Sequence, residues 1–176
     1  MTIYFLRHAS AGERKPDPEK DDRRALDKDG IQQCTSVGRT LAAMDIHVDV
    51  IVTSPLKRAM QTASLVANEI AYEGKLEVDN GLRPEATYAG FRELLQRFAE
   101  QEAIMVVGHN PNLSAFLGRV ISRGTQPADI DLKKGGIAKV DFAQRTGTLE
   151  WYLTPKIVRS VYSAATESSR PKTSRK

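Results

Sequence analysis

The chain has 176 residues, 40% of them hydrophobic and 27% charged, proportions that suit one globular domain and exclude a disordered or low-complexity protein. No stretch of about 18 uncharged apolar residues occurs, which excludes a membrane-spanning helix, and Arg7 interrupts the first apolar run before it could serve as a secretory leader. The net charge of +4 invites a nucleic-acid reading, yet after Pro155 six bases face one acid, whereas residues 1–155 hold 20 bases and 21 acids. The basic character therefore belongs to the C-terminal segment, and no nucleic-acid partner is expected. One cysteine, Cys34, cannot form an internal disulfide and suits a reducing compartment, so a cytoplasmic location is expected.

Residues 2–6 are β-branched, aromatic and apolar, which predicts a buried strand. Residues 13–29 follow with seven acids, six bases, Pro16 and Pro18, and such a segment reads as a solvated loop. From Gly30 the spacing of Ile31, Cys34, Val37, Leu41 and Met44 predicts a helix of about 15 residues with Cys34 facing the core. A second strand is expected over 48–53, and Ser54-Pro55 reads as a cap and first-turn proline opening a helix through about Ile70. Its buried stripe is predicted to be Leu56, Ala59, Met60, Ala63, Val66 and Ile70.

A short strand over 76–78, an irregular stretch over 81–90 and a helix over 91–100 come next. Residues 103–107 form the most apolar strand, and Asn110-Pro111 repeats the cap-and-proline pattern before a helix through about Ile121. Runs at 136–142 and 148–153 flank Gln144-Arg145-Thr146-Gly147 and predict a β-hairpin. Alternating strands and helices imply an α/β fold with a mostly parallel central sheet, the hairpin adding an antiparallel edge. Residues 1–154 read as a single domain and 155–176 as a basic extension, flexible at its end.

Ligands of such sheets bind beyond the carboxyl ends of the strands. At those points stand Arg7-His8-Ala9-Ser10, Thr53-Ser54-Pro55-Leu56-Lys57-Arg58-Ala59 and Gly108-His109-Asn110-Pro111. If the strands are neighbours, two arginines and two histidines converge with two helix amino ends, and all of these groups suit a phosphate-like anion. Taken singly, each arginine or histidine is more often a surface or structural residue, and His47, in a linker, keeps that bland reading. Ser54 and Asn110 read as helix caps at an edge where a cap can also touch ligand. Phosphate-loop, dinucleotide-binding and serine-elbow signatures are absent, and the dispersed histidines and single cysteine offer no metal-ligand spacing, so neither metal nor cofactor is expected. A cysteine-phosphatase reading of residues 34–39 fails because the thiol lies on a helical core stripe and Arg39 is one residue too close.

Leu6-Arg7-His8-Ala9 resembles the Arg-His-Gly signature of the histidine phosphatase superfamily, with alanine in place of glycine. Residues 53–63 are similar to its second arginine motif and Val107-Gly108-His109-Asn110-Pro111 to its second-histidine motif. The small size most resembles the SixA-type phosphohistidine phosphatases. The resemblance covers roughly 2–154 and implies a three-layer α/β/α, phosphoglycerate mutase-like fold. It also implies phosphoryl transfer to His8, with Arg7, Arg58 and His109 as phosphate ligands, and a phosphorylated protein, such as a histidine phosphotransfer domain, as substrate partner. Leu82-Arg83-Pro84-Glu85 is the nearest match to the family's acid segment, which makes Glu85 the candidate proton donor, its bland reading being a solvated loop carboxylate. Arg24 falls near an arginine that such sequences place before the first helix and would border the pocket mouth, unless it is one more charge of the loop.

Neutral imidazole is a competent nucleophile toward phosphorus, and nearby guanidinium groups keep it neutral. Small phosphate esters, hydrolysed or isomerised, are the alternative substrates, and a non-catalytic phosphate or phosphopeptide module is the alternative of another class. Monomeric behaviour is expected.

Overall fold

The computed structural model describes residues 1–143 and 146–168. A six-stranded sheet of order β3-β2-β4-β1-β5-β6 is built from β1 (Thr2–Arg7), β2 (Val50–Thr53), β3 (Leu76–Val78), β4 (Ala103–Gly108), β5 (Ile137–Ala143) and β6 (Thr146–Leu153). The first four in chain order are mutually parallel, whereas β5 runs antiparallel to β1 and β6 antiparallel to β5. The expected parallel sheet with an antiparallel hairpin at its edge is present, and Gln144 and Arg145 of the predicted turn lie outside the described residues.

Strand alternation divides the core. Tyr4, Leu6, Met105 and Val107 point to one face and pack against Cys34, Val37 and Leu41 of α2 (Lys28–Ala43) and Ala59, Ala63 and Val66 of α3 (Lys57–Glu69). Ile3, Phe5, Ile104 and Val106 point to the other face. There they meet Phe91, Leu94 and Leu95 of α4 (Tyr88–Arg97) and Leu113, Phe116 and Leu117 of α5 (Asn112–Ile121). The result is a three-layer α/β/α arrangement. The chain builds β1, β2 and β3 outward with α2 and α3 on one face, then returns to insert β4 between β2 and β1. That reversal moves the crossover helix to the opposite face, as a constant crossover hand requires.

Several sequence expectations change. Ile31, Met44 and Met60 are exposed, so the buried stripes of α2 and α3 are narrower than their spacing suggests; small residues, Gly30, Gly38 and Thr62, occupy the close-packed positions instead. Ser54 and Asn110 are not caps, because α3 begins at Lys57 after Leu56 and α5 at Asn112 after Pro111. The charged loop contains a short helix, α1 (Pro18–Asp22), capped by the Asp17 side chain, and it contributes Leu26 to the core. The segment after Thr154 starts α6 (Pro155–Ser168), whose Val158 is 3% exposed and joins the α2 face of the core. A basic composition sets this segment apart, yet its first turn is docked, with Pro155 and Val158 both buried. Residues 169–176 lie outside the described ones. Among the described residues no helix is long and apolar enough to cross a membrane.

Gly30 is where α2 meets the chain leaving β1: a Cβ there would stand 1.9 Å from the Ser10 carbonyl oxygen. Gly30→Ala is expected to lower unfolding stability by roughly 1–3 kcal/mol through overpacking, read from urea unfolding midpoints. Gly12→Ala, with nothing within 4 Å of the added carbon, serves as the control; equal stability of the two variants would contradict this packing.

Candidate active site

Register decides which side chains meet. Arg7 of β1 pairs with Gly108 of β4, and Thr53 of β2 with Val107. The ladder continues for one residue on each side, His8 N–H donating to Gly108 O at 3.0 Å and Ser54 N–H to Val107 O at 2.9 Å. His8, His109 and Ser54 therefore leave the sheet side by side. The two imidazoles lie 4.8 Å apart between ring centroids, with their planes 51° apart. Arg58 comes from the first turn of α3, and Arg7 from the last residue of β1.

These groups open onto a cleft of about 1000 Å³, and all six residues singled out from the sequence line it: Arg7, His8, Arg24, Arg58, Glu85 and His109. Arg7 Nη1 donates to Leu132 O at 2.7 Å, and Arg58 Nη1 to Asp21 O at 2.8 Å. Arg7 Nε, Arg58 Nε and His109 Nδ1 are buried and have no partner; they are the only such side-chain atoms among the described residues. A buried nitrogen without a partner costs on the order of 1–3 kcal/mol, so three in one cleft mark a place where polar atoms of a ligand belong.

Burial is the main cause of the histidine shifts. It pulls His8 down to about 3, with Arg58, Arg7 and Arg24 adding to the effect against the opposing Ala9 carbonyl, and it pulls His109 down to about 2, helped by His8 and Arg58. Both rings are neutral at physiological pH. His8 Nδ1 lies 2.8 Å from Ala9 O, so that nitrogen carries the proton and Nε2 keeps a free lone pair. His109 Nε2 lies 2.9 Å from Ser54 Oγ.

Arg24 and Glu85 differ from the other four. Arg24 donates to Ala11 O and Gly12 O, both at 2.9 Å, and pairs with Asp21, so most of its donors already hold the cleft wall. Glu85 accepts from Arg83 at 2.6 Å, and this hydrogen bond holds its carboxyl below the usual range, partly opposed by burial. In this arrangement the Arg83 pair favours its ionised form.

Sequence reasoning passed over Asp21 and Thr62. Asp21 bridges Arg24 and Arg58. The Thr62 hydroxyl accepts from Ala9 N at 3.1 Å and donates to Arg58 O at 2.7 Å, tying the His8 segment to the Arg58 turn. Its one legible signal was position: it follows Arg58 by one helical turn. His47 is exposed beside Asp45, away from the cleft, and Cys34 is buried with its thiol pushed up to about 11. Among the described residues no group of three or more His, Cys, Asp or Glu could hold a metal ion.

A sheet with paired arginines and histidines at its carboxyl edge gathers groups whose chemistry suits an anion. The chain belongs to the histidine phosphatase superfamily (branch 1), whose family model matches residues 3–88. An uncharacterised protein of Picosynechococcus sp. is 34% identical over 140 residues, covering 78% of this chain and 82% of that protein. Phosphohistidine phosphatase SixA of Escherichia coli (strain K12) is 22% identical over 158 residues, covering 88% of this chain and 94% of that one. The structure of the protein histidine phosphatase SixA complexed with tungstate superposes with a TM-score of 0.80 at 20% identity, covering 89% of this chain and 98% of that chain.

The histidine shifts make stability fall in acid. Unfolding returns both rings to about 6.5, so below that pH the unfolded chain binds more protons than the folded one, and each ring removes up to about 1.4 kcal/mol per pH unit as pH falls toward its folded value. Between pH 6.5 and 5 the perturbed carboxylates Asp21 and Asp27, held below 3.8, contribute little slope. His109→Gln should flatten the fall in urea-unfolding free energy across that window; a slope equal to that of the parent protein would refute a buried neutral His109.

Proposed function

We propose that the protein is a phosphatase that passes a phosphoryl group from a protein phosphohistidine to His8 and then to water. The observation that carries this reading is the set of three unpartnered buried nitrogens, from Arg7, Arg58 and His109, gathered around a neutral histidine with a free Nε2 lone pair. Arg7, Arg58 and His109 hold the equatorial oxygens. The His8 Nε2 lone pair forms the new bond to phosphorus while the bond to the substrate ring breaks. Water then attacks phosphorus, the Nε2–P bond breaks, and the lone pair returns to His8 as inorganic phosphate and a proton depart. A phosphoryl dianion also reverses the local field of the arginines, restoring basicity to His8 when it is needed. Guanidinium groups supply the charge stabilisation, so the scheme invokes no metal or cofactor.

The leaving group favours phosphohistidine over an alkyl ester. A phosphorylated imidazole takes a proton from solvent on its distant ring nitrogen and leaves as neutral imidazole, whereas an alkoxide must be protonated at the bond that breaks. Glu85, ionised against Arg83, is poorly suited to that second task. A phosphorylated histidine phosphotransfer domain, which exposes such a ring, is the proposed partner; the lining of the cleft, six cations against four acids, also favours an anionic partner surface.

His8→Ala should lower release of phosphate from a phosphohistidine protein by roughly 10³-fold or more and leave no acid-labile phosphoenzyme. Release that persists in a chelator and disappears in this variant supports the scheme, and unaltered turnover would sink it. Glu85→Gln is expected to leave phosphohistidine hydrolysis within about twofold. A parent protein that releases phosphate only from small esters would show that the substrate class is wrong, and one that binds phosphate without any release would make it a binding module.

A further inference from the structure

With the cap set aside, the Ser54 hydroxyl keeps one local backbone contact and a proton of its own to place. The residue is fully buried, at 0% exposure, and its Oγ has two neighbours. Leu56 N–H, at 3.4 Å, can only donate and so occupies an oxygen lone pair. The second neighbour is His109 Nε2 at 2.9 Å. Among the described residues no other acceptor lies within reach of the one Ser54 O–H, so this proton either goes to Nε2 or is left buried without an acceptor, which is unfavourable.

The opposite tautomer of His109 pays that penalty and a second one. With the proton on Nε2, the buried Nδ1 would present a lone pair to a site whose ligand carries acceptor oxygens only. With the proton on Nδ1, every group has a use: Ser54 donates to Nε2, and the nitrogen that lacks a protein partner becomes a donor. The low proton affinity of His109 keeps the ring neutral, so a tautomer has to be chosen.

We infer that Ser54 is a positioning residue whose hydroxyl donates to His109 Nε2 and thereby fixes the His109 proton on Nδ1 as a donor to a phosphoryl oxygen. This rests on the reading of His109 as a phosphate ligand. Ser54 itself does not touch the reacting atoms; it acts through the ring, at the point where β2 and β4 carry their ladder one residue beyond the sheet.

Nitrogen NMR of the full-length protein, labelled at histidine and read with and without inorganic phosphate, tests the inference directly. His109 should show a protonated Nδ1 and an unprotonated Nε2 in both states, and the reverse pattern in either state would overturn the inference without any variant being made. Inorganic phosphate affinity of Ser54→Ala, His109→Gln and the double variant supplies the second arm, with urea unfolding confirming that each is folded. Ser54→Ala is expected to weaken phosphate binding on the order of tenfold and to mix the two His109 tautomers. In the His109→Gln background the Ser54 change should cost nothing further. Losses that multiply would show that Ser54 acts independently and overturn the inference alone. Undiminished phosphate binding in His109→Gln would instead remove His109 from the phosphate site, and with it the reading on which the inference rests.

Discussion

The parallel ladder across β2, β4 and β1 is the constraint from which the site follows. Parallel pairing sets the three strand ends at one height, and continuing the hydrogen bonds through His8 and Ser54 fixes the backbone of the residues that leave it. Side chains alternate along a strand, so a slip of one residue in β4 would send His109 to the opposite face and put Gly108 in its place. The apolar runs of β1 and β4, buried on both faces between two helical layers, hold the register against such a slip.

On that frame the cleft is a place where the fold accepts local cost. Buried arginine nitrogens without partners, two imidazoles pushed to neutrality and a serine hydroxyl at full burial are individually unfavourable. Their positions are held by contacts that have nothing to do with ligand: the Thr62 hydroxyl between Ala9 and Arg58, the Leu132 carbonyl on Arg7, and Asp21 between Arg24 and Arg58. An incoming oxyanion thus finds donors already desolvated and oriented, which is the condition under which electrostatic stabilisation of phosphoryl transfer is strongest. The burial of His8 and His109 is what keeps both rings neutral and, by linkage, what makes the folded state sensitive to acid.

Local sequence failed where packing partners were needed to interpret it. Ser-Pro and Asn-Pro look like helix starts at positions 54 and 110, but the helices begin two residues and one residue later than that, at Lys57 and Asn112. The freed polar side chains bind elsewhere: Ser54 to His109, and Asn110 to the Leu132 carbonyl and Ser114. Met60 and Ile31 sit at helical core spacing and are exposed, while small residues make the close contacts, Gly38 against α3 and Gly30 against the Ser10 carbonyl. Composition hid α6, since a charge count over a segment does not register a buried Pro155 and Val158 in its first turn.

Sequence alone determined the alternation of strands and helices, the placement of Arg7, His8, Arg58 and His109 after strands or in the first turn of a helix, and the family they point to. These are properties of short windows, where apolar periodicity and residue chemistry can be read directly. Tertiary structure decided strand order, and with it that His8 faces His109, that Asp21 and Arg24 return across the cleft, and that Glu85 is tied to Arg83. Each of these joins residues far apart in the chain, brought together by burial of two hydrophobic faces of one sheet, and no local pattern carries that information.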